Sequence, residues 1–274
     1  MNIKKVWAAY FSATGTTQKI VTEIANKIGE NIGVERDNFD FTLPDARNGI
    51  LGFTAGDLVI FGTPVYAGRV PNVLLKFLET IEGNGAVAVP VVLYGNRNYD
   101  DALIELRDIL EKAGFHTIAA GAFIGEHSFS KILAKDRPDE ADILVAQTFA
   151  VKIAEKLEAV DFSIFPPIHV KGVPNPYRGY YRPRDREGNP VDIRKVKPLT
   201  SADCNDCKIC ADVCPMGSIN YKNVNEITGT CIKCGACIKK CPVNAKYYED
   251  AEYLYHQHEL EEELTKRSEP ELFL

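Results

Sequence analysis

Every cysteine of this chain lies between Cys204 and Cys241, and the eight fall into two runs of one pattern, C-x2-C-x2-C-x3-C-P. "CNDCKICADVCPMGSIN", from Cys204, realigns with "CIKCGACIKKCPVNAKY", from Cys231. A thiolate is a soft, anionic donor suited to iron, and one cubane iron–sulfur cluster needs four of them. The x2 spacing lets a turn aim three consecutive thiolates at one cluster, while the fourth, followed by proline, completes the neighbouring cluster. Cys204, Cys207, Cys210 and Cys241 are therefore expected to bind one [4Fe–4S] cluster, and Cys231, Cys234, Cys237 and Cys214 the other. Structural zinc is the competing use of C-x2-C pairs. Zinc would need two pairs only, and would leave the third cysteines, the prolines and the duplication unexplained.

With both Cys-Pro runs intact, this segment resembles the clostridial-type two-cluster ferredoxins. That resemblance implies electrons carried one at a time at low potential. Its 6 Lys against 6 Asp+Glu over 201–250 make it less acidic than many free ferredoxins of this type. That balance suits a unit whose partner is covalently attached rather than captured by long-range attraction.

A second stretch with chemical content is "YFSATGTTQKI", residues 10–20, where hydroxyl side chains surround Gly15 and no cation occurs before Lys19. A hydroxyl-rich turn that leaves a strand and enters a helix offers free backbone N–H groups at a positive dipole end, which binds phosphate. A nucleoside triphosphate would call for the lysine and spacing of a P-loop, and neither is present. A single terminal phosphate can be held by Ser12, Ala13, Thr14, Gly15, Thr16 and Thr17 through hydroxyls and amides alone, which suits FMN. Helix capping with chance Ser/Thr enrichment is the plain alternative.

This loop looks like the phosphate loop of the flavodoxins, and two later segments fall where that family places its isoalloxazine loops. "GTPVYAGRVP" offers Thr63, Pro64, Val65, Tyr66, Ala67 and Gly68, and "YGNRNYDDAL" offers Gly95, Asn96, Arg97 and Tyr99. An aromatic ring usually stacks on the flavin in that family, so the resemblance makes Tyr66 and Tyr99 the candidates, each of which could instead pack on its own loop. Arg97 and Arg69 depart from the family's acidic or neutral surroundings and would stabilise negative charge near flavin N1; the alternative is an arginine paired with Asp100 or Asp101. His127, in "GEHSFS", lies at a strand's carboxyl end near the expected ring edge but reads as a loop histidine without catalytic duty. His256 and His258 read as solvated tail. No Ser-His-Asp or paired-carboxylate constellation can be argued.

The elements that position these residues alternate along the first 160 residues. "KVWAAYFS", "DLVIFGTPVY", "AVAVPVVLYG" and "TIAAGAFIGE" are continuous apolar runs, and "GVERDNFDF" is a weaker, more polar strand suited to an edge. Between them "TTQKIVTEIANKIGENI", "VPNVLLKFLETI", "YDDALIELRDILEKAGF" and "PDEADILVAQTFAVKIAEKLEA" carry helical spacing. Buried strands interleaved with helices predict an α/β fold with a doubly wound parallel sheet of five strands. The order 2-1-3-4-5 is expected, with ligand at the switch point between the first and third strands. Four segments follow: a flavodoxin-like FMN-binding domain over 1–161, a Pro/Tyr-rich basic connector over 162–200, a small α+β ferredoxin-like domain over 201–250 and an acidic helical tail over 251–274. The connector holds 7 prolines and 8 Lys+Arg against 3 Asp+Glu, and its tyrosines (Tyr177, Tyr180, Tyr181) predict packing on a surface.

The net charge of −6 argues against nucleic acid as a partner, and mean hydropathy of −0.15 with no long apolar run argues against a membrane span. The N-terminus reads straight into a strand, and reduced cysteines suit the cytoplasm. Nearly the whole chain resembles the flavodoxin–ferredoxin fusion proteins of anaerobes. The resemblance implies FMN, two [4Fe–4S] clusters, and redox partner proteins as donor and acceptor. Three functions are compatible: an electron carrier coupling one- and two-electron steps, a ferredoxin-type flavoprotein reductase acting on a small molecule at FMN, or a non-redox interaction module that keeps the fold.

Overall fold

The computed structural model describes residues 3–159 and 166–274, so the expected boundary at 161/162 lies outside the described residues. Six strands form the main sheet early in the chain: β1 (Lys5–Tyr10), β2 (Glu35–Asp40), β3 (Asp57–Pro64), β4 (Val87–Tyr94), β5 (His116–Thr117) and β6 (Ala120–Ile124). The order is β2-β1-β3-β4-β6, all parallel, with β5 also on β4. The expected fifth strand is thus two. Thr117 pairs with Ala88 and Gly121 with Val91, so three residues of one strand oppose two of β4. That extra residue is a bulge opposite Val89 and Pro90, and Pro90 has no N–H to give a ladder.

Helices cover both faces. α1 (Thr16–Ile32) and α4 (Glu140–Ala159) bury Ile20, Ile24, Ile28, Phe149 and Ile153 against Val6, Ile60 and Val91. On the other face α2 (Asn72–Leu78) and α3 (Ala102–Lys112) bury Leu74, Phe77, Leu103 and Leu106 against Ala9, Phe61 and Val92. The alternation within each strand assigns neighbouring residues to opposite cores, and both faces are apolar because both are covered. Among the described residues β2 pairs with β1 alone and is mostly exposed, as its polar sequence requires.

The connector is a strap bonded to the sheet unit. Asp101, fully buried, accepts from the Val173 and Arg178 amides at 2.8 Å each and from the Arg178 guanidinium. Tyr177 donates to Asp108 and Tyr180 to the Val70 carbonyl, and their rings hold the Arg69 guanidinium between them at 4.7 and 5.0 Å. Arg69 itself pairs with the buried Glu105 at 2.6 Å.

The cysteine-rich segment folds as two copies of one turn-and-helix unit. α5 (Ile209–Asp212) and α6 (Ala236–Lys239) are equivalent in the repeat, and a short antiparallel pair, β7 (Leu199–Thr200) and β8 (Lys246–Tyr247), joins its ends. The last segment departs from a solvated acidic tail. α7 (Ala251–Glu263) buries Tyr253, His256 and Leu260 on one stripe, and β9 (Glu271–Phe273) adds to β6 antiparallel at the sheet's edge. His256 is only 3% exposed, with Tyr181 stacked at 5.8 Å and its Nδ1 3.1 Å from Glu259. His258 is exposed as expected.

Candidate functional site

At the carboxyl ends of β1, β3, β4 and β6 a cavity opens. Ala13, Thr14, Thr16 and Thr17 form one wall, Pro64, Val65 and Tyr66 a second, and Gly95 with Gly125–Ser128 a third. This is the switch point anticipated from the strand order. Gly15 caps α1 with no side-chain hydrogen bond to the helix, while Ser12 accepts from the Gln18 amide at 3.0 Å. No Lys or Arg lines the cavity among the described residues, and Lys19 donates to the Pro138 carbonyl at 2.7 Å. Anion recognition here falls to hydroxyls and the helix N-terminus, the donor chemistry a single phosphate needs. Thr63, expected at the site, is fully buried behind the lining Pro64 and does not line the cavity, and its Oγ1 has no partner among the described residues. The hydroxyl-rich wall fits a polar, phosphate-bearing ligand such as FMN.

The other residues singled out from the sequence have other work. Asn96 donates to the Leu264 and Lys266 carbonyls and accepts from the Ser268 amide, so it anchors the C-terminal segment. Arg97 pairs with Asp100 and lies 4.5 Å from the Tyr181 ring. Tyr99 is 5% exposed, packs on Tyr94 and donates to Glu271. Ala67 accepts from the Tyr181 amide, and a side chain on Gly68 would strike Asp100. Of the two candidate tyrosines, only Tyr66 reaches the cavity.

Four lining residues, Gly125, Glu126, Ser128 and Cys234, carried no signal that a phosphate-loop argument could use. Gly125, Glu126 and Ser128 enter with His127 because β6 ends there. Burial, then the charges of Lys239, His256 and Arg97, drives the His127 imidazolium pKa down to about 3, so the ring is neutral.

Cys234 stands in the wall of this cavity and also in that of a second, lined by Cys214, Cys231, Cys234 and Cys237 with Pro198, Met216, Ile219, Ile232 and Tyr248. Three thiols of the second run and the fourth of the first therefore share one apolar chamber, the crossed set expected from the sequence. Burial pushes the Cys234 thiol up to about 12 and the Cys237 thiol higher still. A bare thiolate is disfavoured there, and bound iron would supply the compensating charge. Among the described residues no three His, Cys, Asp or Glu side chains gather about a point as one metal ion needs, whereas a cubane's ligands stand around its wider corners. Cys204 and Cys207 neighbour Cys210, whose thiol burial raises. The Ser218 amide donates to Cys214 Sγ at 3.4 Å and the Ala245 amide to Cys241 Sγ at 3.2 Å, the same bond in each repeat. Such bonds to sulfur favour the more reduced, more negative state. Cys207 is the exposed member of the eight.

The cysteine-rich unit is held onto the sheet unit at this point. Lys239, 13% exposed, donates to Glu126 and to the His127 and Ser130 carbonyls. Arg47 donates to the Pro215 carbonyl and Lys131 to Asn244. Gly235, with φ +73°, packs so closely that a Cβ would collide with the Ser128 carbonyl. Burial, and then the Cys234 and Cys231 sulfurs, push the Tyr66 hydroxyl well above the usual tyrosine range.

A family model described as a flavodoxin domain matches residues 8–112, and one described as a 4Fe-4S dicluster domain matches 203–246. No curated protein matches the chain. Similar solved structures include a flavodoxin from the domain Archaea (16% identity, TM-score 0.41, 56% of this chain and 99% of that one). A point mutant of the flavodoxin from Pseudomonas aeruginosa is 12% identical, with a TM-score of 0.39 over 56% of this chain and 99% of its own. The FMN-bound flavodoxin of Fusobacterium nucleatum is 20% identical, with a TM-score of 0.38 over 57% and 98%. Among the described residues, no helix is long and apolar enough to cross a membrane. The chain joins an N-terminal flavodoxin domain to a C-terminal 4Fe-4S dicluster domain, a pairing that supports electron transfer involving FMN and iron–sulfur.

Proposed function

We propose that this chain moves electrons between FMN and two [4Fe–4S] clusters within one molecule, coupling two-electron to one-electron steps. FMN supplies a centre that takes up an electron pair, while each cluster exchanges single electrons. The observation that carries this reading is Cys234, a wall of both the flavin cavity and the cluster chamber. Thr14, Thr16 and Thr17 would hold the phosphate, Tyr66 would line the ring, and Cys214, Cys231, Cys234 and Cys237 would hold the nearer cluster. Cys204, Cys207, Cys210 and Cys241 would hold the farther one. Exposed Cys207 makes that end the docking face for a redox partner protein of the reducing cytoplasm. Lys239 and Gly235 keep the two units in register, so internal transfer proceeds without a diffusional encounter.

Iron, sulfide and extracted flavin measured together on anaerobically purified protein test this. Eight irons and one FMN per chain are expected. Replacement of Cys234 by Ala should leave FMN bound while slowing electron exchange between flavin and clusters. Eight irons without flavin, even after FMN is added back, would overturn the reading.

A further inference from the structure

His127 follows β6, outside both loops that the phosphate and ring arguments single out. The residue lines the cavity. Nδ1 accepts the Phe129 amide at 3.1 Å, which leaves the ring proton of the neutral imidazole on Nε2. The ring is clamped. Phe129 meets it edge-on at 5.3 Å, and Gly95 lies so close that a Cβ there would strike the imidazole. The backbone beside it is held as well, because the His127 carbonyl accepts from Lys239 at 2.7 Å. Among the described residues Nε2 has no hydrogen-bond partner, and it is not among the side-chain atoms sealed from solvent without one.

We infer that His127 is a fixed hydrogen-bond donor to the isoalloxazine of FMN, presenting Nε2–H to an acceptor atom of the ring from the β6 side of the cavity. The inference rests on the FMN reading of this cavity. Nothing is transferred: the imidazole keeps its proton and donates one hydrogen bond. Of the neighbouring wall, Pro64, Val65, Leu93 and Gly95 present no side-chain donor, while Tyr66, Tyr94 and Ser128 carry hydroxyls. A donor fixed in advance costs little ordering when ligand binds.

The test uses the full chain, purified anaerobically with its iron, stripped of flavin and titrated with FMN by fluorescence quenching. The FMN reduction potential is followed separately by visible spectroscopy. Wild type should bind one FMN. His127→Leu should weaken oxidised FMN about five- to tenfold, the scale of one hydrogen bond, and shift the flavin potential while iron content stays unchanged. His127→Gln, which keeps an N–H donor, should recover most of the affinity. If His127→Leu loses iron, His127→Phe fills the ring's space and carries the same expectation. FMN affinity and potential unchanged in the donor-free variant, or lost equally in His127→Gln, would overturn the inference while leaving the FMN site standing. A wild-type chain that binds no FMN would instead overturn the reading beneath it.

Discussion

The sheet unit buries two large apolar cores, one behind Phe61, Phe77 and Leu106 and the other behind Ile24, Ile60 and Phe149. Among the described residues the cysteine-rich unit fully buries only Cys210, Ile219 and Val224 in a core of its own, while Cys234 and Ala236 are buried against the sheet unit. About fifty residues cannot offset their ordering entropy with so little apolar burial. The first unit is therefore stabilised by the hydrophobic effect and the second by ligation and by its neighbour. One fold makes its site from its stability, and the other takes its stability from its site.

The largest effect expected from this difference follows removal of iron. Oxidation and chelation should abolish hydrogen-exchange protection across 201–250 while the amides of β1, β3 and β4 stay protected. Loss of protection in both units would break the comparison. Phe61→Ala should do the reverse: it removes a fully buried ring and should cost the sheet unit about 3–5 kcal/mol. Fluorescence of Trp7, the only tryptophan and a residue of β1, reports that unit alone. Lys239→Met probes the join. It leaves Glu126 and two carbonyls without their donor and should cost about 1–3 kcal/mol of docking. Exchange should rise at 126–130 and 235–240 with iron content unchanged, and uniform loosening would contradict a local latch.

The smallest expected effect concerns the strap. Burial would raise the Asp101 carboxyl, but Arg178 and the Val173 and Arg178 amides outweigh it and hold the carboxyl below its usual value. With the folded value depressed, its contribution is complete above the unfolded pKa of about 3.9 and is lost as pH falls through the folded one. Urea midpoints read from Trp7 between pH 5 and 3 should fall less steeply in Asp101→Asn than in wild type.

The sequence carried the cysteine repeat and the alternation of strands and helices because both are periodic. Thr16–Ile32 emerges as α1 over the same residues that show helical spacing, bounded by Gly15 and Gly33. The bulge between β5 and β6 left no such trace, since "TIAAGAFIGE" is apolar on both faces and a one-residue slip changes nothing in its pattern. The Asn96–Tyr99 loop was legible as a loop, but its partners are not local. Asn96 meets Leu264, Lys266 and Ser268, and Tyr99 meets Glu271. No spacing argument joins residues so far apart. The buried stripe of Tyr253, His256 and Leu260 did have a signal, an i, i+3, i+7 pattern, obscured by the acidic residues around it.

The two copies of the cysteine repeat share more than their ligands. Asp206 and Lys233, Lys208 and Gly235, and Gly217 and Asn244 occupy equivalent places and share a left-handed backbone, with φ between 52° and 73°. At one pair the requirement has diverged. Lys208 keeps a side chain and reaches Asp206, whereas its counterpart Gly235 has none and lies against the Ser128 carbonyl. Asp212 ends α5 in solvent, and its counterpart Lys239 is the latch. A duplicated unit begins with two interchangeable sides. Here the loss of one side chain and the reversal of one charge tell the halves apart, so that one turns inward to the attached domain and the other is left facing whatever arrives from outside.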